Sequence, residues 1–356
     1  MEQKSVLIGM SGGVDSSVAA ALLKEQGYHV IGATMRLWTY SDSCNMKHEG
    51  CCAESAVEDA RRVCDKLGID FYVMNFKDMF KDKVVDYFVD EYIHGRTPNP
   101  CIACNKYLKF DALLKKALAM GIDYVATGHY AKIEKGEDSK YILRASEAVK
   151  KDQSYVLYNF TQEQLAHTLM PLGGYNKDWV RQKAEELGLG VAHKPDSQEI
   201  CFVEDDDYAK FITDYSGYEP KEGDILDVNG NVIGKHRGLI YYTIGQRKGI
   251  GAYGRPMFVM KIDAENNTIT LGEKGMEFSN ELTAYDVNFV SGEFPKENML
   301  ITAKVRYQAP PAAAMLCPQK DGTVKLMFPE PQRAVTPGQA VVFYDGDIVL
   351  GGGTVL

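Results

Sequence analysis

The feature that most limits what this chain can fold into lies at its start. The apolar run Val6–Met10 leads directly into the turn Ser11–Ser17, with the letters S-G-G-V-D-S-S. This order predicts a buried strand, a tight glycine turn and the beginning of a helix. Glycine carries no Cβ, so backbone N–H groups of the turn can face an anion, and the helix adds the positive end of its dipole. Three serine hydroxyls supply further donors, so we predict an α/β domain that holds a phosphate chain at the end of its first strand.

The turn differs from the P-loop of many nucleotide-binding proteins. That motif requires G-x-x-x-x-G-K-[ST], and no lysine follows these glycines. A phosphate-binding turn without this lysine suits a pyrophosphate that leaves, rather than a γ-phosphoryl group that is transferred. The string S-G-G-x-D-S resembles that of the ATP pyrophosphatase (PP-loop) enzymes. The alternative is an ordinary glycine turn between a strand and a helix.

Strand-like and helix-like segments alternate through the first part of the chain. Strands joined by crossover helices imply a parallel sheet with helices on both faces, and such sheets bind ligands at the carboxyl ends of their strands. The turn Ser11–Ser17, Met35 and Gly128 lie at such ends and are expected to line one crevice. The predicted strands are Ser5–Met10, His29–Met35, Phe71–Asn75 and Tyr124–Thr127, and the predicted helices are Ser16–Gln26, Cys52–Leu67, Lys77–His94 and Asn105–Met120.

The sequence pattern changes after Asp205, where short glycine-rich runs typical of β-structure replace the long helices. Two such runs are Gly223–Val228 and Arg237–Ile244, and a polar hairpin is predicted earlier, at Ala131–Arg144. We predict an α/β catalytic domain over residues 1–205, a small central β-rich domain over 206–277 and a C-terminal β-barrel-like domain over 278–356.

The composition is that of a soluble globular protein, with 45% apolar and 25% charged residues in 356. No run of eighteen apolar residues predicts a transmembrane span, and the start Met-Glu-Gln-Lys lacks the apolar segment of a signal peptide. We therefore expect a cytoplasmic protein without a membrane partner, whose eight cysteines are reduced.

The charge is unevenly distributed. The net charge of −9 argues against a generally basic nucleic-acid-binding surface. However, Gly95–Lys116 carries five basic residues and one acid, and Val228–Ile262 carries six basic residues and no acid. Such basic stripes can hold a polyanion on one face of an acidic protein, although chance clustering on the surface is the alternative. The basic residues of the second stripe are Lys235, Arg237, Arg247, Lys248, Arg255 and Lys261.

Three cysteines have the pattern of reactive thiols. Cys101 and Cys104 form a C-x-x-C pair after two prolines, and Cys201 lies 97 residues beyond Cys104 in a turn-rich segment. The prolines are expected to exclude helix before Cys101, so that a helix begins near Cys104. A thiol at a helix N-terminus beside Lys106 would have a lowered pKa and more reactive thiolate.

Several chemistries fit these thiols. A structural zinc site would usually need two C-x-x-C pairs, and a thioredoxin-like redox pair does not suit a nucleotide-binding βαβ context. An iron–sulfur cluster on Cys101, Cys104 and Cys201, an inert role in the core, and sulfur transfer by Cys104 and Cys201 all stay open. Of the other cysteines, a metal role is left open for Cys44, Cys51 and Cys52, and an apolar core role is favoured for Cys64 and Cys317.

Six motifs follow one another in a fixed order. S-G-G-V-D-S-S precedes T-P-N-P-x-x-x-C-N, A-T-G-H-Y (Ala126–Tyr130), K-D-Q-S-Y (Lys151–Tyr155), D-S-x-x-I-C-F and G-x-H-x-G…T-I-G-Q-R-x-G (Gly234–Gly249). In this combination the chain resembles the bacterial tRNA-specific 2-thiouridylases over nearly its whole length. These enzymes place sulfur on the wobble uridine of certain tRNAs.

The resemblance implies an ATP-dependent sulfurtransferase in which Cys104 is the nucleophile and Cys201 carries a persulfide. It also implies that the two β-rich domains contact tRNA. The implied ATP-binding residues are Gly9, Met10, Ser11, Gly12, Gly13, Val14, Asp15, Ser16, Met35 and Gly128. The implied tRNA-binding residues are Asn99, Pro100 and Cys101, in the loop that meets the target base, and Lys151, Asp152, Gln153, Arg306 and Tyr307.

The implied reaction begins when the uracil C2 oxygen attacks the α-phosphorus of ATP and pyrophosphate leaves. The terminal sulfur of the Cys201 persulfide then attacks C2 directly, or Cys104 attacks the persulfide, which frees hydrosulfide and leaves a Cys104–Cys201 disulfide. Mg²⁺ is the expected companion of ATP, with Asp15 a candidate to hold it directly or through water. The implied partners are tRNAs of the Lys, Glu and Gln types and a cysteine desulfurase or sulfur-relay protein.

One position departs from the family pattern. Many members have Asp where this chain has Cys101, which puts an acid–base role at this position in doubt. The substitution completes the C-x-x-C pair and keeps iron–sulfur-dependent thiolation as an alternative. A second alternative is another PP-loop ligase, which adenylates its substrate and needs no cysteine pair.

Overall fold

The computed structural model describes residues 3–38, 54–148, 151–195, 200–203 and 206–356. Cys44, Cys51 and Cys52 lie outside these residues, as do the predicted start of the second helix and the first four residues of the D-S-x-x-I-C-F motif. Three sheets organise the described part of the chain.

The first sheet is parallel, as predicted, with the strand order β3-β2-β1-β4-β7. Val6, Leu7 and Ile8 in the central strand are fully buried, which explains the continuous apolar run. The strands β2 and β3 lie on one side of β1 and the later strand β4 lies on its other side, and ligands commonly bind where the strand order switches in this way. The strands are β1 (Ser5–Gly9), β2 (His29–Arg36), β3 (Asp70–Asn75), β4 (Tyr124–Ala126) and β7 (Thr168–Leu169), of which the last was not predicted.

Helices connect these strands. Two pairs of short helices are continuous through π-helical segments, at Lys81–Asp86 and at Cys104–Ala112, and π-helical turns often occur at functional sites. The helices are α1 (Val14–Glu25), α2 (Glu54–Leu67), α3 (Lys77–Phe80), α4 (Tyr87–Ile93), α5 (Pro100–Ala103), α6 (Leu113–Ala119), α7 (Gln162–Ala166) and α8 (Lys177–Glu186).

The helix that carries Cys104 begins earlier than predicted. It begins at Pro100, because the side chain of Asn99 accepts hydrogen bonds from the backbone of Cys101 at 3.1 Å and of Ile102 at 3.4 Å. Pro100 occupies the first helical position, where no N–H partner is needed. The prediction that the prolines exclude helix before Cys101 was therefore wrong, and Cys104 lies in the second turn.

The central part of the chain is a four-stranded sheet with the order β10-β11-β8-β9, preceded by a helix that was not predicted, α9 (Tyr208–Ser216). The strand predicted over Arg237–Ile244 is wrong. Gly238 has φ +125, and Leu239–Tyr241 forms a 3₁₀ helix that buries two of its apolar side chains. The strands are β8 (Gly223–Leu226), β9 (Val232–His236), β10 (Met257–Asp263) and β11 (Thr268–Glu273).

The C-terminal part forms a barrel, because six strands in the order β12-β15-β14-β13-β16-β17 are closed by pairing between β12 and β17. The predicted hairpin of the first domain is present, and its strand β6 pairs with β17. The strands are β5 (Ala131–Lys135), β6 (Tyr141–Ala145), β12 (Phe278–Phe289), β13 (Met299–Lys304), β14 (Ala312–Pro318), β15 (Val324–Arg333), β16 (Ala340–Asp345) and β17 (Ile348–Val355). Within the described ranges, no helix combines the length and apolar character needed to cross a membrane.

Candidate functional site

The turn after β1 is held tightly against the neighbouring helix. Gly12 has φ +70, and a Cβ added there would lie 2.3 Å from the carbonyl oxygen of Ala56 in α2. Gly13 is the N-cap of α1, so the turn leads into a helix N-terminus as the sequence predicts. Glycine is therefore required at position 12, by its backbone angle and by close packing, whereas Gly13 has an extended backbone and an added Cβ would meet only the Ser11 hydroxyl, at 3.4 Å.

The serine hydroxyls are less available to an anion than expected. Ser16 and Ser17 both donate to the carbonyl oxygen of Gly13, at 3.2 Å and 2.8 Å, and both side chains are buried. Ser11 is exposed, while its backbone N–H donates to the Ser16 hydroxyl at 3.2 Å. Of the three predicted hydroxyl donors, only Ser11 presents an exposed side chain.

Asp15, in the first turn of α1, is already engaged. The Nζ of Lys177 lies 2.8 Å from both of its carboxylate oxygens, and the hydroxyl of Tyr130 donates to Oδ1 at 2.6 Å. The Lys177 side chain is only 11% exposed, so water screens this ion pair little. A Mg²⁺ ion bound directly to Asp15 would have to displace the ammonium group, so the residues present do not fit the direct metal ligand that the sequence suggested.

The ends of the neighbouring strands approach the same turn. A Cβ on Gly128, which follows β4, would lie 2.7 Å from the backbone nitrogen of Ser16. Met35 is half-buried near the end of β2. The next residue after Gly128, His129, shares a 2.7 Å hydrogen bond between its Nδ1 and the hydroxyl of Thr127, and desolvation of its ring holds the pKa well below the usual value. These contacts bring the predicted adenosine-side residues to the carboxyl edge of the sheet.

A second lysine reaches the turn from far along the chain. The Nζ of Lys194 lies 3.2 Å from the carbonyl oxygen of Gly12, 182 residues away, and 2.9 Å from Oδ2 of Asp59 in α2. Sequence reasoning missed Lys177 and Lys194, since neither belongs to a motif used in the prediction. Tyr130 lies in the motif A-T-G-H-Y but was not predicted as a site residue.

The three candidate cysteines differ in exposure. Cys101, in the first turn of its helix, is exposed, whereas Cys104 is buried at 8% exposure. Next to Cys104, Asn105 donates through Nδ2 to the carbonyl of Val156 at 3.0 Å, and its buried Oδ1 has no hydrogen-bond partner among the described residues.

Cys201 lies in a tight turn closed by a hydrogen bond from the Val203 nitrogen to the Ile200 oxygen at 3.0 Å. Cys201 is exposed, while Phe202 is 1% exposed and packs edge-on against Phe80 and Phe88. Phe202 and Cys104 belong to the same buried cluster, which also contains Leu37 directly after β2. The two predicted sulfur-handling segments are thus anchored in one core.

The three candidate cysteines are in the reduced state. Cys101, Cys104 and Cys201 all carry thiols rather than disulfides. Within the described ranges, no three His, Cys, Asp or Glu side chains converge as metal ligands. The transient disulfide and the iron–sulfur cluster therefore stay predictions.

The predicted tRNA-binding segments meet on one face. The hydroxyl of Tyr307 donates to the carbonyl oxygen of Asp152 at 3.1 Å. Burial raises the pKa of Tyr307, and the charge of Asp152 adds to the increase. Lys151 lowers this pKa and Cys101 raises it, so both lie near the Tyr307 hydroxyl. The structure thus brings segments at 101, 151–152 and 307 together.

Two of these residues use their side chains inside the protein. Asp152 accepts hydrogen bonds from the backbone of Ser146 and from the backbone and hydroxyl of Ser154. Gln153 accepts at 3.0 Å from the backbone of Tyr130, whose hydroxyl reaches Asp15. Both side chains therefore already have partners inside the protein, and tRNA binding by Asp152 and Gln153 stays a prediction.

The basic stripe Val228–Ile262 is partly neutralised. Three of its cations form ion pairs with carboxylates, namely Lys235 with Asp224, Arg255 with Glu273 and Lys261 with Asp263. Arg237 stacks over the ring of Tyr241 at 3.9 Å. The charge of +6 counted from the sequence therefore overstates the positive potential of this stripe. Arg247 and Lys248 are exposed residues at the tip of the T-I-G-Q-R-x-G loop.

A cavity of about 360 Å³ lies between the Cys104 helix and the barrel. Asn99, Lys106 and Tyr285 are among its lining residues, whereas Cys104 and the turn after β1 are not. The cavity is therefore separate from the nucleotide turn.

Three family models match the chain. The model described as tRNA methyl transferase HUP domain matches residues 4–205, and the tRNA methyl transferase PRC-barrel domain matches residues 209–273. The model described as Aminomethyltransferase beta-barrel domain matches residues 279–355.

Curated relatives match over the full length. The tRNA-specific 2-thiouridylase MnmA of Acetivibrio thermocellus is 59% identical over 358 residues, with 100% of both chains covered. The protein of the same name from Clostridioides difficile is 58% identical and covers 99% of this chain and 98% of its own. A solved complex of a 4-thiouridine synthetase with RNA and bound ATP is 18% identical over 54% of this chain and 43% of that chain, with a TM-score of 0.36, too low to carry an argument.

Proposed function

The chain belongs to the family of the tRNA-specific 2-thiouridylases, and on that premise we propose that it replaces the C2 oxygen of the tRNA wobble uridine with sulfur in an ATP-dependent reaction. It is accordingly a tRNA sulfurtransferase. The HUP and PRC-barrel models that match the chain are described by methyl transfer, but the full-length relatives are named for thiolation, and a pair of thiols suits sulfur chemistry.

The observation that carries the proposal is the common core beneath the two thiols. Cys104 and Phe202, the neighbour of Cys201, pack in one cluster that includes Leu37 at the carboxyl end of β2. The anion turn follows β1, the neighbour of β2 in the same sheet. A nucleotide on the turn and a base near Cys104 would therefore share one edge of the sheet.

ATP makes the C2 oxygen a leaving group. The oxygen forms a bond to the α-phosphorus, the bond from that phosphorus to the bridging oxygen breaks, and pyrophosphate departs. Backbone N–H groups at the Gly12–Gly13 turn and the N-terminus of α1 stabilise the phosphate charge. Met35 and Gly128 border the part of the site that would hold the adenosine of ATP. The release of pyrophosphate supplies the driving force of the reaction.

Sulfur then reaches C2 from a Cys201 persulfide loaded by a cysteine desulfurase or sulfur-relay protein. In one route, the terminal sulfur attacks C2, AMP leaves, and the Cys104 thiolate attacks Sγ of Cys201 to release the thiolated base. In the other, Cys104 attacks first and frees hydrosulfide, which attacks C2. Both routes leave a Cys104–Cys201 disulfide that an external thiol reduces.

The exposed face around Cys101, Lys151 and Tyr307 is the proposed tRNA contact. Tyr307 is 40% exposed and offers a ring for stacking, and Lys151 offers a charge for phosphate. Arg306 lies near the buried Tyr155, on whose pKa its charge acts. The target base must leave its stack to reach Cys104, as in other base-modifying enzymes.

The test is a reconstituted reaction of the whole protein with ATP, Mg²⁺, a cysteine desulfurase with cysteine as the sulfur source, a thiol reductant and unmodified tRNA, read by nucleoside mass spectrometry. We expect 2-thiouridine from the native protein, none from Cys104→Ser or Cys201→Ser, and a normal amount from the control Cys317→Ser in β14. Normal thiolation by either of the first two variants would contradict the sulfur mechanism.

The iron–sulfur alternative has its own readout. Protein purified without oxygen is assayed for iron and for visible absorption, and its activity is compared with its iron content. Activity that is independent of iron supports the persulfide route, whereas activity proportional to iron would replace it with a cluster.

A further inference from the structure

We infer that Lys194 supplies, from a distant part of the chain, the ammonium group that a P-loop lysine supplies next to its own glycines, and that it binds the pyrophosphate portion of ATP. This inference rests on the proposed use of ATP at the turn after β1. It adds to that function a binding residue outside the turn and outside the residues predicted from the sequence.

The first support is the position of the Lys194 ammonium group. Its Nζ lies 3.2 Å from the carbonyl oxygen of Gly12, inside the turn whose N–H groups and following helix attract an anion. The side chain is 31% exposed, so it can turn toward a ligand from where it stands.

The second support is that the other lysine at the turn is committed. Lys177 is bound to both oxygens of Asp15 at 2.8 Å and is 11% exposed. Moving it would break both hydrogen bonds to Asp15 and leave that carboxylate, 31% exposed, without this ion-pair partner. Lys177 therefore positions the first turn of α1, and Lys194 is the lysine suited to meet the phosphates.

The third support is that the two partners of Lys194 can release it. Gly12 offers a neutral carbonyl, and Asp59 on α2, with 28% exposure, keeps Arg62 as a second cation at 3.8 Å. A pyrophosphate group carries more charge than one carboxylate and accepts several charge-assisted hydrogen bonds. The ammonium group is therefore expected to exchange Asp59 for phosphate when ATP binds.

The rival explanation is a purely structural bridge, in which Lys194 and Asp59 fasten the turn to α2. The two explanations predict opposite changes in ATP affinity for Asp59→Asn. If Asp59 competes with phosphate for the ammonium group, its loss leaves ATP binding unchanged or makes it tighter. If the pair is a structural bridge, its loss weakens ATP binding as Lys194→Met does.

The experiment measures dissociation constants of ATP, inorganic pyrophosphate and AMP by calorimetry on the whole protein. For Lys194→Met we expect the Kd of ATP and of pyrophosphate to rise about 10- to 100-fold, the size of a lost hydrogen bond to a charged group, with AMP within twofold. Lys194→Arg should keep most of the preference for ATP. Lys183→Met is the matched control, because Lys183 forms a comparable 2.9 Å ion pair with Glu25 away from the turn.

Three results would overturn the inference: an equal loss of ATP and AMP binding in Lys194→Met, a loss of ATP binding in Asp59→Asn that matches the loss in Lys194→Met, or unchanged ATP binding in Lys194→Met. Partly unfolded protein would change the apparent affinity for AMP and for ATP alike. The ratio of the two dissociation constants within each variant therefore removes this effect. If the native protein itself does not bind ATP, the proposed function fails. If the native protein binds ATP and Lys194→Met binds it equally well, only this inference fails.

Discussion

Gly12 offers a sharp test of how the nucleotide turn is built. In Gly12→Ala the new Cβ would meet the carbonyl oxygen of Ala56 at 2.3 Å and its Cα at 2.9 Å, both backbone atoms that cannot rotate away. The residue must also adopt φ +70, which is costly for alanine. Gly27→Ala is the matched control, since Gly27 has φ +89 but nothing within 4 Å of the added atom.

The magnitudes separate the two causes. The left-handed conformation costs alanine about 1–2 kcal/mol in both variants, and the lower entropy of the unfolded alanine chain is also common to both. Only Gly12→Ala has the clash, which by analogy with overpacked cores costs about 1–3 kcal/mol. We therefore expect Gly12→Ala to lose about 1–3 kcal/mol more free energy of unfolding than Gly27→Ala.

The assay is urea unfolding of the whole chain with and without ATP, following the transition whose midpoint ATP raises. Gly12→Ala should lower that midpoint more than Gly27→Ala and should also weaken ATP binding, because Ala56 or the turn must shift. Equal midpoints and equal ATP affinity in the two variants would refute the close packing of the turn on α2.

Two further predictions concern ionisable groups. His129 stays neutral in the folded protein, because desolvation holds its pKa well below the usual value and nearby Lys109 adds to the decrease. Below about pH 6.5 the unfolded chain then binds more protons than the folded protein, so the free energy of unfolding falls as the pH drops. In urea melts between pH 7.5 and 5.5, the free energy of unfolding of His129→Gln should fall less than that of the native protein. An equal fall in both proteins would speak against a desolvated ring. Cys64 is fully buried, and burial raises its pKa to about 12. Iodoacetamide at pH 8 should therefore label Cys101 and Cys201 in the native protein, but Cys64 only in urea, and peptide mass spectrometry measures this labelling. Native labelling of Cys64 as fast as that of Cys201 would contradict its packing in the sheet domain.

The parts of the fold that follow local patterns could be predicted. The run Val6–Ile8, which is apolar on both faces, marks a central parallel strand, and the glycine turn marks its end. The helix start at Pro100 was also encoded, since Asn followed by Pro matches an N-cap and first helical position, but the second proline was interpreted as a break. At 237–244 a run rich in apolar residues was interpreted as a strand, although Gly238 turns the chain at that point.

Long-range pairs could not be predicted in this way. Lys177 meets Asp15 across 162 residues, and Lys194 meets Gly12 across 182 residues. A single lysine in a helix or loop is ordinary by composition and carries no spacing that reveals its partner. The same limit applies to the basic stripe, where the neutralising partners Asp224, Asp263 and Glu273 lie outside the segment that was counted.

The hairpin β5–β6 has a consequence for movement. It leaves the parallel-sheet domain in sequence but continues the sheet of the barrel, where the Ala145 nitrogen donates to the Asp347 oxygen at 2.7 Å. The hydroxyl of Tyr155 connects the same two parts by donating to the Ala340 carbonyl at 2.6 Å, within the buried cluster that β16 shares with the parallel-sheet domain. The C-terminal barrel is therefore fastened to the parallel-sheet domain by sheet pairing and by a buried hydrogen bond. We therefore expect any closing around a bound substrate to come from short loops rather than from rotation of the whole barrel.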